Sequence, residues 1–474
     1  MKLNISQCII RQYVAVVIVN LGVLTTGMSL SWPSPVIVKL QNGTDSPFAR
    51  PITENEGSWI VSGGFLLGVA TSFLGGILLD KIGRKYSIIL VSLPKLCASI
   101  SCIFITEVWA LIIARAIWIF CDCFTLAFVP VYSSEIASKE HRGSLGTLLQ
   151  LFSCLGIVIA LSVGPFVSYK ALNIFIATVI AVTNVPILFL PDSPYYLYSK
   201  GREEEAKKIL IFLRESDTLI KNEIEDYKLW SQEKTVDRIA LLKNKVFLKS
   251  LSLSILLCVG SNLTGFNAVS FYLQTIIEST RTKLRSDIAS VVIGCIQIFA
   301  ALCATLVSNK FGRRTILLAS LSGIFLGLVG LGTFFKVSES DGFVVSGFMN
   351  YIPLISLILV IFFYSSGIGS LIWLVMAELF DSQSRAFGVS LSLIMGTLVI
   401  FLTTKYFPIV TLVAGAAATY FFFSAMCVVI GSLIAIFLPE TKGKTFQEIQ
   451  TELQGSVNLK DGCDKEKQIS EVNL

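Results

Sequence analysis

The chain has 474 residues, 54% of them hydrophobic and only 15% charged, with a mean hydropathy of +0.74 and a net charge of +6. Soluble domains carry about 25% charged residues, so a soluble globular protein is excluded, and the modest positive balance makes no case for a nucleic-acid partner. The apolar runs last about 20 residues, the length of a helix crossing a ~30 Å hydrocarbon core, not the ~10-residue alternating segments of a transmembrane barrel. The expected fold class is an all-α polytopic membrane protein.

Twelve spans are predicted, at about 12–38, 57–79, 86–106, 109–132, 144–165, 171–190, 248–273, 286–308, 315–335, 351–376, 386–405 and 412–438. The first run is too long for the apolar core of a cleavable leader. The spans form two sets of six around a charged segment, in which Glu203, Glu204, Glu205, Lys207 and Lys208 read as the solvated face of short amphipathic helices. The division is an N-terminal bundle 1–190, a linker 191–247, a C-terminal bundle 248–438 and a tail 439–474.

The short loops are nearly balanced in Lys and Arg. The basic linker decides the orientation, together with Lys2, Arg11, Lys442 and Lys444 in the termini. All are assigned to the cytoplasm. Asn42-Gly43-Thr44 then lies outside as a glycosylation sequon, while Asn4-Ile5-Ser6 is inside and Asn262-Leu263-Thr264 falls within a span. The 11 cysteines sit in apolar segments or termini, so no extracellular disulfide framework is expected. Cys97, Cys102, Cys121, Cys123 and Cys154 read as small packing residues.

The halves repeat. Asp80-Lys-x-Gly-Arg-Lys after span 2 returns as Asn309-Lys-x-Gly-Arg-Arg after span 8. Glu135-x6-Arg142 after span 4 returns as Glu378-x6-Arg385 after span 10, and Pro191-Asp192-Ser193-Pro194 after span 6 as Pro439-Glu440-Thr441-Lys442 after span 12. Three pairs in order on one side of the membrane point to a duplicated six-helix unit. Gly83 permits a tight turn, letting Arg84 fold back beneath the helix ends towards Asp80, Glu135 and Arg142. Arg313, Glu378 and Arg385 are the partial copy. The expectation is a charge cluster that works as a latch, stronger under the first half because Asp80 becomes Asn309 in the second. The plain alternative is a tight turn with ordinary basic decoration.

These motifs resemble the sugar porter branch of the major facilitator superfamily over about 12–445. The signature carrying the likeness is Gly76-x3-Asp80-Lys-x-Gly83-Arg84-Lys85, supported by Pro-Asp-Ser-Pro after span 6 and Pro-Glu-Thr-Lys-Gly at 439–443. Within the branch, Gly27…Trp32-Pro33-Ser34-Pro35 and the compact loops look most like insect trehalose and glucose facilitators. The resemblance implies a sugar site between the halves. It keeps Gln150 in span 5, Asn267 of Thr264-Gly265-Phe266-Asn267-Ala268 in span 7, Gln297 in span 8 and Trp373 in span 10. Two family glutamines are Ser261 and Asn262 here, the prolines of span 10 are Ser370 and Ile372, and the Asn-Trp pair of span 11 is Gly396-Thr397. Lost amides weaken polyol binding, and lost prolines remove helix breaks that help a gate bend. For Gln150 and Gln297 the bland alternative is a helix–helix hydrogen bond.

Three charges lie well inside spans, away from their ends. Arg115 matches a family arginine. Lys95 and Asp122 match nothing in the family and fall at similar depth, so they are expected to pair, the alternative being a Lys95 that snorkels. Span 1 contains no Asp or Glu, where proton-coupled members of the branch carry a carboxylate.

The leading expectation is therefore a plasma-membrane uniporter for trehalose or a hexose, working as a monomer. The alternatives are a diverged, non-transporting sugar sensor and a proton-coupled symporter. An enzyme is disfavoured: His141 is the one histidine, and the pattern offers no metal-ligand cluster or cofactor site.

Overall fold

A polypeptide in hydrocarbon must pair its own backbone groups, and apolar runs of this length do so as helices. In a computed structural model, residues 7–452 are described except for 44, 139, 142–144, 215, 233–237, 281–284, 340–346, 382–383, 443, 445–447 and 450. Eleven helices are long and apolar enough to cross a membrane, and a twelfth crossing is built from two pieces bent by 52°. We number the crossings α1–α12 and name the short helices by their residues.

In the first half, α1 runs Gln7–Ser31 and continues as Pro33–Asn42. The bent crossing α2 is Glu54–Gly68 with Thr71–Ile82, α3 is Arg84–Phe104 and α4 is Val108–Ile136. Helices α5 and α6 are Leu148–Val163 and Tyr169–Asn184. Four short helices follow, Pro194–Ser199, Glu203–Leu213, Asp217–Gln232 and Arg238–Lys243. In the second half, α7 comes in three pieces, Lys245–Leu263, Phe266–Phe271 and Leu273–Ser279. Helices α8 and α9 are Ser286–Lys310 and Arg313–Ser338. Helix α10 is Ile352–Ser366 with Ile368–Glu378, α11 is Arg385–Ala414 and α12 is Ala416–Phe437.

Each half uses the same pairings. Helix α1 packs on α5, α2 on α4, and α3 on both α4 and α6. In the second half α7 packs on α11, α8 on α10, and α9 on both α10 and α12. The halves meet along α2–α11 and α5–α8, which are equivalent seams under the repeat.

Two boundaries differ from the sequence reading. The loop expected between spans 11 and 12 is absent: α11 continues through Lys405 and Pro408, and the turn is the single residue Gly415 at φ +88°. A proline inside a membrane helix is tolerated because surrounding protein re-satisfies the freed carbonyl. Span 10 also keeps its break without prolines. Gly367 sits at the break, and a Cβ there would lie 2.4 Å from Ser320 Cβ. The Ser320 hydroxyl donates to the Phe363 carbonyl (2.6 Å) and accepts from the Ile368 N–H (3.2 Å). One serine of α9 thus serves both backbone groups released by the break, and the expected loss of flexibility at span 10 does not follow.

On the face of the membrane that carries the linker, Arg214 donates to the carbonyl of Ile136 at the end of α4 (2.8 Å) and pairs with Glu223 (2.8 Å). Gln12 donates to Leu213 and accepts from the Ser138 N–H. The linker is thereby fastened to the start of α1 and the end of α4.

The α1–α5 crossing depends on glycine. A Cβ on Gly27 would meet the Ser153 carbonyl oxygen at 2.1 Å, and one on Gly156 the Leu24 carbonyl oxygen at 1.9 Å. Overpacking such a contact costs about 1–3 kcal/mol. Gly156→Val should lower the thermal midpoint of the detergent-solubilised protein by several degrees. Gly146→Ala, which meets nothing within 4 Å, should leave it unchanged; equal midpoints would contradict the close crossing.

Candidate functional site

The α7 motif places its polar residues through its own break. Gly265 has φ +77°, and a Cβ there would lie 2.5 Å from the Phe423 ring. This left-handed turn, which favours glycine, ends one piece of α7 and starts the next with Phe266 and Asn267. Asn267 lines a cavity of about 60 Å³ at the seam, together with Ser270, Gln297 of α8 and Ser31 of α1. Phe266, Phe271 and Ile157 supply apolar wall. Since a water occupies about 30 Å³ and drug-sized ligands fill 300 Å³ or more, a cavity of this size has no room for a drug-sized ligand while the halves are together.

The sequence-nominated residues do not all face this cavity. Asn267 and Gln297 line it. Asn262 lies behind Asn267: its carbonyl accepts from Asn267 Nδ2 (2.6 Å), and its own amide donates to Cys258 (2.8 Å) and to Gly396 across the helix pair (3.3 Å). A Cβ on Gly396 would lie 2.3 Å from Cys258 Sγ, so the glycine that replaces the family's asparagine lets α11 approach α7 closely. Ser261 turns its hydroxyl to the Cys258 carbonyl (2.9 Å). Gln150 donates to Cys154 Sγ one turn along (3.4 Å). Trp373 is half exposed and outside the cavity lining. The sequence reading missed Ser270, whose buried hydroxyl has no partner and which lines the cavity. Its spacing from Asn267, three residues on in the same helical piece, is the one-face pattern that marks it.

Beneath the halves, carboxylates cap helices. Asp192 Oδ1 accepts from the N–H groups of Arg84 and Lys85 (both 3.1 Å), the start of α3. Glu440 does the same for Arg313 (2.7 Å) and Arg314 (3.2 Å) at the start of α9. An acidic group at a helix N-terminus both pairs orphan donors and meets the positive end of the dipole. A Cβ on Gly83 would come within 2.5 Å of Asp192, and one on Gly312 within 2.2 Å of Glu440. The motif glycines therefore make room for the caps.

Arg84 grips Glu135 through Nε and Nη2, both at 2.8 Å. Its ion pair with Asp80 is loose at 3.9 Å, and Asp80 is 81% exposed. Pairs that exposed contribute about 0–1 kcal/mol, so Glu135 and Asp192, rather than Asp80, hold the first cluster in this arrangement. In the second half Arg313 lies 3.7 Å from Glu378, which also accepts from Thr441 (2.5 Å). Arg385 is exposed and reaches the Phe380 carbonyl (3.5 Å), not Glu378. Arg142 and the side chain of Asn309 lie outside the described residues. The Arg84–Glu135 and Arg313–Glu378 pairs each join helices of one half.

Besides Arg84 and Arg214 at the linker face, Lys95, Arg115 and Lys405 are buried between the crossings. Lys95 Nζ is 2.6 Å from Asp122 Oδ1 and donates to Thr25 (2.9 Å) and Thr26 (3.0 Å), with the ion-paired side chains only 3% exposed. Arg115 lies 4.5 Å from the ring centre of Trp32 and 4.8 Å from that of Trp118, and donates to the hydroxyl and carbonyl of Ser29 (both 3.2 Å). Trp32 is itself fixed by Asn173 (2.9 Å). Lys405, unnoticed in the sequence because it was read as the end of a span, bonds across the seam to α2.

Residues 34–453 match the family described as "Sugar (and other) transporter". The chain belongs to this family. It is 29% identical over 460 residues to the facilitated trehalose transporter Tret1 of Polypedilum vanderplanki, covering 95% of this chain and 89% of that one. It is 27% identical over 459 residues to the facilitated trehalose transporter Tret1 of Culex quinquefasciatus, covering 96% and 88%. Among solved structures it superposes on the inward-open xylose transporter XylE from E. coli with TM-score 0.77, at 18% identity over 93% of this chain and 99% of that one. A partially occluded inward-open form of the same transporter gives 0.76, at 18% identity over 92% and 99%. At that identity the likeness is of fold: two six-helix pseudo-repeats of the major facilitator kind.

The buried pair in this sugar transporter family member gives a quantitative expectation. Removing one partner of a buried ion pair costs about 3–5 kcal/mol, while replacing both by apolar groups is often neutral. Lys95→Met and Asp122→Leu should each reduce the amount of folded protein at the cell surface severely, and the double variant should recover it. Normal surface levels in both single variants would contradict the pairing.

Proposed function

We propose that this protein moves a sugar, trehalose or a hexose, down its gradient by rocking its two halves about the seam cavity. The observation that carries the reading is the cavity itself: one half supplies Ser31 and the other Asn267, Ser270 and Gln297. Convergent hydroxyl and amide groups match the hydroxyls of a sugar, and Phe266 and Phe271 offer a surface for its C–H face. Gln150 and Trp373 would join the site only after the halves move. Ser261 and Asn262 act as supports for Asn267. The relatives named for facilitated trehalose transport favour the disaccharide.

Uniport is preferred over proton symport on the chemistry of α1. From Gln7 to Asn42 it holds no Asp or Glu, and Arg115 rests instead on Ser29 and two indoles. Asp122 is engaged with Lys95. A non-transporting sensor is the second reading, favoured by the thinned amide set around Gly396. Uptake of labelled trehalose, glucose and xylose into vesicles tests all three. Saturable uptake indifferent to an uncoupler is expected. Uptake abolished by the uncoupler would indicate symport, and binding without uptake a sensor.

In this reading the first bundle 1–190, the linker 191–247, the second bundle 248–438 and the tail 439–474 form one monomer in the plasma membrane. The linker, tail and both termini face the cytoplasm, and the Arg84–Glu135 and Arg313–Glu378 clusters brace the inner helix ends of their halves. Asn42 then faces outside, exposed at the end of the second α1 piece. Treatment of cell-expressed protein with an endoglycosidase should increase its gel mobility, and Asn42→Gln should abolish that change. An unchanged mobility on treatment would count against this orientation.

A further inference from the structure

Hydrogen bonds between the halves gather at the face opposite the linker. The Gln274 N–H donates to the Ser34 hydroxyl (3.1 Å), joining α7 to α1. Lys405 of α11 donates to Asn55 Oδ1 (2.6 Å), to Ser58 Oγ (2.8 Å) and to the Asn55 carbonyl (3.4 Å), all on α2. The ammonium also sits 4.3 Å from the ring centre of Trp59, which packs on Phe401 at 6.0 Å. Lys405 is 5% exposed although Asn55 above it is exposed.

From this geometry we propose that Lys405 is the gate residue of the face opposite the linker: its bonds to Asn55 and Ser58 hold that side of the cavity shut. The contrast with Lys95 is the argument. Lys95 is buried inside one half among α1, α3 and α4, so its surroundings persist when the halves move. Lys405 is buried between halves, so its desolvation and its bonds last only while that side is closed. An interaction present in one of two states shifts the equilibrium between them by its own free energy. The acceptors are an amide, a hydroxyl and an aromatic face, all neutral, so a partner's ionisation does not control the bonds. They are weaker than a buried ion pair, which suits a contact that must break in every cycle.

The gate rests on the transport reading for its purpose, but its test does not need a substrate. In the full-length chain carrying Gln274→Cys at the seam, a membrane-impermeant thiol reagent is applied from the face opposite the linker, with the unsubstituted chain as background. Asn55→Ala/Ser58→Ala removes both side-chain acceptors of the cation, leaving only the Asn55 carbonyl at 3.4 Å, and should raise labelling about tenfold. Asn55→Asp gives it a charged acceptor and should lower labelling. Adding Lys405→Met to Asn55→Ala/Ser58→Ala should cancel the rise, because no cation is then left stranded. Any other pattern in protein that reaches the membrane, including a rise that survives Lys405→Met, overturns the proposal. A chain that labels as expected but takes up no sugar would leave the gate standing and remove the transport reading.

Discussion

A charged or polar group that leaves water for hydrocarbon must find its partner within the protein. This chain meets that constraint with three different chemistries at Lys95, Arg115 and Lys405, the cations buried part-way along its crossings. Lys95 is neutralised by a carboxylate and surrounded by threonine hydroxyls. Arg115 is flanked by two indoles and rests on one serine, using the stacking that its weakly hydrated guanidinium allows. Lys405 borrows acceptors from the opposite half. The first two belong to the interior of a bundle that stays together, the third to a surface between bundles. The packing of the first half and of the seam accommodates these solutions, since each requires two or three named helices to be adjacent.

The same constraint governs the helix ends. Asp192 and Glu440 approach the starts of α3 and α9 because Gly83 and Gly312 leave space for them. The duplicated sequence motifs thus describe one construction made twice: a glycine that clears room, an arginine that reaches a glutamate of the same half, and a carboxylate that returns after six helices to cap the third. The return closes each half on itself, since the cap lies beyond the sixth crossing and the capped helix is the third.

Much of this was legible in the sequence because it rests on residue types whose requirements are local. Apolar length gave the crossings, the motif repeats gave the duplicated half, and two opposite charges at equal depth placed Lys95 beside Asp122. What escaped depends on neighbours distant in the chain. Lys405 looks like the end of a span, and Pro408 like a loop, until Asn55 and Ser58 are brought beside them. The break in α10 seemed lost with its prolines, yet it is kept by Gly367 and by Ser320 on another helix. The cavity side of α7 was only half read: Asn267 announces itself by its motif, whereas Ser270 counts only once the face is known. The sequence also overweighted Asp80, whose exposure no motif reveals.

The length of α11 gives the seam a mechanical advantage. Lys405 lies about two-thirds of the way along a helix of 30 residues, roughly 30 Å from the Arg385 end at 1.5 Å per residue. With the fastening near one end, α11 is a lever whose long arm reaches the linker face. A swing of about 10° around Lys405 carries the Arg385 end roughly 5 Å, while the contacts at the fulcrum shift far less. Gly415 joins α12 to the short arm through a single residue.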